Sequence, residues 1–201
     1  VPSDAPGLER RPIERLDGEP GFAEIFFDDC RVSVDNVLGE PGQGWAVAMA
    51  AAGSERGLNL RSPGRFLAAA ERLTGLAKRL ASGGRGIDPR LRDQVTEAWI
   101  KAQAYRWQTY HTASMLMEGA ELGSEASLMK VFWSELDLEL HATAMRLLGD
   151  RAELTAAAPD SVDDAGWLDG YVFALSGPIY AGTNEIQRNI IAERVLGLPR
   201  R

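Results

Sequence analysis

The apolar positions of this chain change their period near residue 44. Up to about residue 40, Pro and Gly recur (Pro2, Pro6, Gly7, Pro12, Gly18, Pro20, Gly21) around Phe22-Ala23-Glu24-Ile25-Phe26-Phe27, where Ile25 and Phe27 alternate with Phe22, Glu24 and Phe26. A period of two predicts β-strands. Two or three strands cannot bury that many aromatic rings alone, so the segment reads as the end of a larger sheet. From Trp45 to Ala81 the chain is rich in Ala and Leu, reached through Gly39-Glu40-Pro41-Gly42-Gln43-Gly44, and Pro63 is expected to kink or divide a long helix. Asp88-Pro89 supplies an N-cap and a first-turn proline. Val95, Ala98, Trp99, Ala102 and Tyr105 then repeat at three and four, predicting a helix to about Glu118 that Gly119 ends. Ser124 is expected to cap a third helix with Leu128, Val131, Phe132 and Leu136 on one face and Gly149 as its left-handed C-terminal residue. After an Ala- and Asp-rich loop over 150–165, a short helix around Trp167 to Ser176 stops at Gly177-Pro178. Thr183 caps a last helix, Asn184 to Leu196, ended by Gly197 and Pro199. The predicted fold is mainly α: an antiparallel four-helix bundle over 41–201, preceded over 1–40 by the last strands of a β-domain.

Composition narrows the partners. The 201 residues are 45% hydrophobic and 25% charged, with 22 basic against 29 acidic side chains and a net charge of −7. That balance, with no basic face, argues against a nucleic-acid or anionic-membrane partner. The single cysteine, Cys30, forms no internal disulfide, which makes a reducing, cytoplasmic setting the default. Trp45 to Ser54, the longest apolar uncharged stretch, is about half the roughly 20 residues of a membrane span. The opening Val1-Pro2-Ser3-Asp4-Ala5-Pro6-Gly7 lacks an initiator Met and reads as a loop within a longer protein.

Most catalytic constellations are absent from the sequence. The two histidines, His111 and His141, do not follow a glutamate by three, as a di-iron bundle requires. Cys30 follows Asp28-Asp29, and neighbouring carboxylates are a poor setting for a nucleophilic thiolate. The glycines of 39–44 and 83–86 fit neither a dinucleotide fingerprint nor a phosphate loop and read as turns. The stretch Gly177 to Gly197 carries more: a loop of small residues leads into a helix N-terminus, whose free N–H groups suit an anion or polar ligand. A plain capped amphipathic helix fits the same periodicity.

Tyr180-Ala181-Gly182-Thr183-Asn184-Glu185-Ile186-Gln187-Arg188 closely resembles the Tyr-x-Gly-Thr-x-x-Ile-Gln-Arg signature of the flavin-dependent acyl-CoA dehydrogenases. The resemblance extends to Pro6-Gly7, to Glu24 through Val32 and to Val37 through Trp45, and so covers nearly the whole chain. It implies the end of that family's β-domain followed by its C-terminal bundle. It also implies FAD as cofactor, an acyl-CoA as substrate, α,β-dehydrogenation as reaction and an electron-transfer flavoprotein as acceptor. The family places its base most often between the Tyr and Gly of the signature, where this chain has Ala181, which takes no proton. The other place, used by isovaleryl- and long-chain-type members, is a Glu-Arg pair on the first bundle helix, matched by Glu55-Arg56. The resemblance therefore implies Glu55 as base, with Arg56 orienting it or standing as an ordinary helix arginine. The Ala181 N–H, with the ribityl 2′-hydroxyl of the flavin, is implied as the oxyanion hole. Thr183 and Glu185 match FAD-contacting positions, though Thr183 serves equally as an N-cap.

One departure bears on assembly. Where family members grip the FAD of a neighbouring subunit through Arg-x-x-Phe-Gly and Gln-x-x-Gly-Gly, this chain has Ala81-Ser82-Gly83-Gly84 and Arg146-Leu147-Leu148-Gly149-Asp150. Either Arg79 or Arg85 substitutes, or a non-identical partner supplies the grip. The expectation is an enzyme assembled as a homotetramer or heterotetramer, with residues 1–201 inactive alone and with Gly53 and Ala181 leaving room for a bulky or branched acyl group. The alternatives are a non-catalytic or half-site subunit of a heteromeric dehydrogenase, and a related flavin oxidase or monooxygenase. Trp99, Trp107, Phe132 and Trp133 are expected on apolar faces too broad for one bundle interior to hide.

Overall fold

The computed structural model describes residues 1–58, 62–120, 123–124 and 126–200, with the side chains of 52–58 and of residue 85 outside that description. Two compact units divide it, Val1–Ser54 and Glu55–Arg201.

In the first unit β1 (Leu8–Glu14) pairs antiparallel with β2 (Pro20–Phe27), setting Leu8 opposite Phe27 and Ile13 opposite Phe22. The turn between them closes through Arg15 N–H to the Glu19 carbonyl, 2.9 Å, and Gly18 N–H to the Arg15 carbonyl, 2.9 Å. Phe22, Ile25, Phe26 and Phe27 all remain exposed on this pair. That is the behaviour expected of a ribbon too small to cover its own rings. The helix α1 (Gly44–Leu58) begins in this unit after the glycine-rich turn.

The second unit is built from α2 (Pro63–Leu80), α3 (Pro89–Met117), α4 (Ala126–Leu148), α5 (Gly166–Ala174) and α6 (Asn184–Ile190). Pro63 opens α2 and so divides the Ala/Leu-rich stretch as its missing N–H requires. Asp88 caps α3, its carboxylate accepting from the Arg90 N–H at 2.8 Å. Gly149, at φ 57°, ends α4 in the left-handed form expected of it. The last helix is shorter in α form than its sequence suggests: α6 stops at Ile190 and a π-helical turn, Ile191–Val195, continues it.

The core joins Phe66, Leu73 and Leu76 of α2, Ala98, Ala102 and Tyr105 of α3, Leu136 and Leu140 of α4, and Trp167 of α5. Phe66 and Tyr105 meet edge to face at 5.0 Å. On α3 the predicted repeat holds except at Trp99, which is exposed. On α4 it is displaced. Leu128 and Phe132 are exposed, while Met129, Trp133, Leu136, Leu140 and Ala144 are buried, and beside that stripe Lys130, Ser134, Asp137 and His141 are buried too. The cause is position: α4 packs against α2, α3, α5 and α6, so polar residues are drawn inside wherever a partner waits. Trp133, expected on an outer face, belongs to the core for the same reason. One contact depends on an absent side chain: a Cβ at Gly170 of α5 would lie 2.3 Å from the imidazole of His141.

Candidate functional site

The signature segment forms a tight turn between α5 and α6. Beyond Ala174 the backbone folds through Tyr180 N–H to the Ser176 carbonyl, 3.1 Å, and Asn184 N–H reaches back to the Pro178 carbonyl at 2.8 Å. The Tyr180 ring lies against Trp133 of α4, centroids 5.8 Å apart. Ala181 (φ 55°) and Gly182 (φ 88°) are consecutive left-handed residues, a conformation Gly adopts freely and Ala only at about 1–2 kcal/mol. Thr183 then caps α6, its hydroxyl accepting from the Ile186 N–H at 3.3 Å.

Gln187 holds this turn from beneath. Its side chain is 0% exposed, and its Nε2 donates to the carbonyls of Ala181 at 3.1 Å and Gly182 at 3.4 Å. Two carbonyls leave the amide only one orientation. Its Oε1 consequently stays buried and has no partner among the described residues. The Ala181 N–H likewise finds no acceptor among the described residues.

A second cluster fastens the first residue of α6. Asn184 is buried, and its Oδ1 accepts from Lys130 Nζ at 2.7 Å and from the Ser134 hydroxyl at 3.1 Å. Burial pushes the Lys130 ammonium below its ordinary pKa, with Glu185 and Glu135 opposing that shift. Glu185 is held below the usual carboxylate range, first by its own backbone N–H, then by the Thr183 hydroxyl and by Arg188 and Lys130. Arg188 pairs with Glu135 across the helices.

Of the sequence-derived candidates, Ala181, Thr183 and Glu185 come together at this turn. Glu55 and Arg56 lie on α1, and their side chains fall outside the described residues. At the far ends of α2 and α4, Leu76, Arg79, Leu80, Gly149, Asp150 and Arg151 contribute to an open cleft of about 770 Å³. There Arg79 Nη2 sits 2.9 Å from both oxygens of Asp163, a carboxylate that also accepts from Trp167 Nε1 at 3.0 Å. The Arg79 guanidinium is thus already paired, while Arg151 and Asp150 also line the cleft. The side chain of Arg85, the other substitute, is outside the described residues. Among the described residues no group of His, Cys, Asp and Glu could hold a metal ion, and no helix is long and apolar enough to cross a membrane.

Tyr180 thus leads into a left-handed turn, and Thr183 caps the helix that follows it. The family model for the acyl-CoA dehydrogenase C-terminal domain matches residues 42–196. The chain belongs to the acyl-CoA dehydrogenase family. It is 41% identical over 201 residues to acyl-CoA dehydrogenase IpdE1 of Mycolicibacterium smegmatis, covering 100% of this chain and 48% of that protein. It is 39% identical over 200 residues to IpdE1 of Mycobacterium tuberculosis, covering 100% and 50%. Among solved structures, the ChsE4–ChsE5 complex of Mycobacterium tuberculosis superposes with a TM-score of 0.84 at 27% identity, covering 100% of this chain and 52% of that one. The chain thus spans about half the length of the curated relatives it matches. Acyl-CoA dehydrogenases are FAD-dependent, and the mainly helical fold predicted for this chain is the one observed.

Lys130, Ser134, Asn184 and Gln187 all hold the turn or the helix that follows it, and the sequence pattern assigns none of them a site role. Asn184 and Gln187 stand inside the signature and could have been questioned there as buried amides. Lys130 and Ser134 gave no such signal, since their burial depends on the rotation of α4.

Proposed function

We infer that this chain carries the C-terminal part of the active site of an FAD-dependent acyl-CoA dehydrogenase that forms the α,β double bond of an acyl-CoA thioester. The observation that carries the inference is the Ala181 N–H, unclaimed within the described residues and presented by a left-handed turn that is hydrogen-bonded from both sides. A preorganised donor at that point stabilises negative charge growing on a thioester oxygen. The methyl of Ala181 takes no proton, so the base is Glu55, about three turns along α1 from the glycine-rich approach, with Arg56 orienting it. Glu55 removes the α-proton, and the pair of electrons left behind becomes the new C=C bond as a hydride departs from the β-carbon. Bound FAD supplies the acceptor for that hydride. Thr183 and Glu185, side by side at the turn, are the residues of this chain that hold it. The small side chain of Ala181 suits a bulky or branched acyl group. The electrons then pass to an electron-transfer flavoprotein in a soluble, cytoplasmic setting.

A second reading is supported by the engaged Arg79 and by Trp99, Ile100, Trp107 and Tyr110, all exposed on α3. In it the chain belongs to a heterotetramer in which a non-identical partner provides the diphosphate grip, as the two-component ChsE4–ChsE5 relative suggests. A homotetramer is the other arrangement those exposed rings favour. Co-purification of an equimolar, sequence-related chain needed for flavin retention separates the two.

The decisive experiment is dehydrogenation of an acyl-CoA panel with an artificial acceptor, comparing the natural protein, including any sequence flanking residues 1–201, with Glu55→Gln at equal flavin content. A loss of about three orders of magnitude, roughly 4 kcal/mol of barrier, supports Glu55 as base. Unchanged activity moves the base elsewhere. An inactive natural protein favours the half-site subunit, and hydrogen peroxide formed in air favours an oxidase or monooxygenase.

A further inference from the structure

The proposed reaction needs the Ala181 N–H fixed in one direction, and the turn contains a side chain suited to fixing it. The peptide unit is planar, so an Ala181 carbonyl pinned by Gln187 sets the plane on one side of the residue. On the other side, Tyr180 is held by its bond to the Ser176 carbonyl and by its ring against Trp133. Asn184 N–H to the Pro178 carbonyl closes the turn behind them. Between these anchors the N–H groups of Ala181, Gly182 and Thr183 have no acceptor among the described residues, and that of Ala181 comes first, next to the anchored Tyr180.

Gln187 is an expensive way to fill space. A Leu or Met would occupy the same buried volume without leaving an Oε1 unsatisfied. What the amide adds is two donors for the two carbonyls of a left-handed pair, one of them a non-glycine residue. We propose that Gln187 is a positioning residue that, through the Ala181 and Gly182 carbonyls, aims the Ala181 N–H at the thioester oxygen of the acyl-CoA. The proposal rests on the functional reading above, and its test separates the two.

The test uses Gln187→Met, which keeps length and loses both donors, and Gln187→Glu, which donates one hydrogen bond as the neutral acid and none as the carboxylate. Burial favours the neutral acid. Both are made in the natural protein with flanking sequence and compared at equal flavin content. Gln187→Met is expected to lower kcat about 10- to 100-fold through a displaced donor while leaving KM within a few-fold. Gln187→Glu should recover relative to the unaltered protein as pH falls, over a range in which its unfolding free energy is shown to stay constant, so that the recovery is not a regain of stability. A direct readout uses pivaloyl-CoA labelled with ¹³C at the carbonyl, which has no α-hydrogen and cannot react. Its bound carbonyl stretch should lie at higher frequency in Gln187→Met than in the unaltered protein. Equal kcat with an unmoved carbonyl band, a loss confined to KM, or a pH-independent Gln187→Glu defect overturns the positioning role alone. An unaltered protein that dehydrogenates no acyl-CoA overturns the functional reading and the proposal with it. If Gln187→Met does not fold, the pH profile and carbonyl band of Gln187→Glu decide.

Discussion

The ammonium of Lys130 donates a 2.7 Å hydrogen bond to the side-chain oxygen of Asn184, joining the middle of the bundle to the first residue of α6. Both residues are buried, and the Ser134 hydroxyl reaches the same oxygen. The turn that presents Ala181 is therefore fastened at its downstream end by a cation inside the protein, with Glu135, Glu185 and Arg188 as its charged surroundings. A desolvated lysine is a costly fastening, and the cost depends on pH.

Lys130→Met exposes that dependence. Burial lowers the folded pKa of Lys130 below its ordinary value of 10.5. Below the folded value the group is charged in both states and the burial penalty is fully present. Between the folded and unfolded values the unfolded chain binds a proton that the folded chain does not, so stability rises with pH. Urea unfolding of the two proteins from about pH 7 to about pH 10.5 should show the unaltered protein gaining on Lys130→Met as pH rises. A constant difference would assign the penalty to another group.

Gly170→Ala tests the contact between α4 and α5. The added methyl would sit 2.3 Å from both Cδ2 and Nε2 of His141. That ring cannot easily yield: it lies edge-on to buried Trp167 at 5.7 Å, and its Nδ1 is 2.8 Å from the Asp137 carbonyl. The expected loss is about 1–3 kcal/mol of unfolding free energy, the range for overpacking a filled site. His141→Ala in the same chain should relieve most of it, so a double-mutant cycle must show coupling between the two positions. Additive losses would mean that the helices separate rather than clash.

The helices of the bundle show where sequence reading succeeds and where it stops. Asp88-Pro89, Pro63, Thr183 and Gly149 announced their elements because capping and proline chemistry are local, settled within a turn of the residue concerned. The signature from Tyr180 to Arg188 made the family legible for a similar reason. The rotation of α4 was hidden: its neighbours come from four other helices, and only their arrangement shows that Lys130, Ser134, Asp137 and His141 face inward. Gln187 was legible as part of a motif but not as a clamp, because its partners are main-chain oxygens whose positions follow from the left-handed turn rather than from any residue type.

Ala181→Gly separates the strain in that turn from its chemistry. At φ 55° an Ala pays a steric penalty of about 1–2 kcal/mol that Gly does not. The greater freedom of Gly in the unfolded chain returns about 0.5–1 kcal/mol of that. The net expectation is a gain in stability of up to about 1.5 kcal/mol, read from urea unfolding followed by the helical signal. The Gln187 bonds run to main-chain carbonyls and the exposed donor is a main-chain N–H, so neither is removed by the substitution. Ala181→Val should move the other way, since a β-branched side chain tolerates the left-handed region worse than Ala does. A loss of stability in Ala181→Gly would show that the methyl packs against something the turn needs, and that Ala stands there for contact rather than for being small.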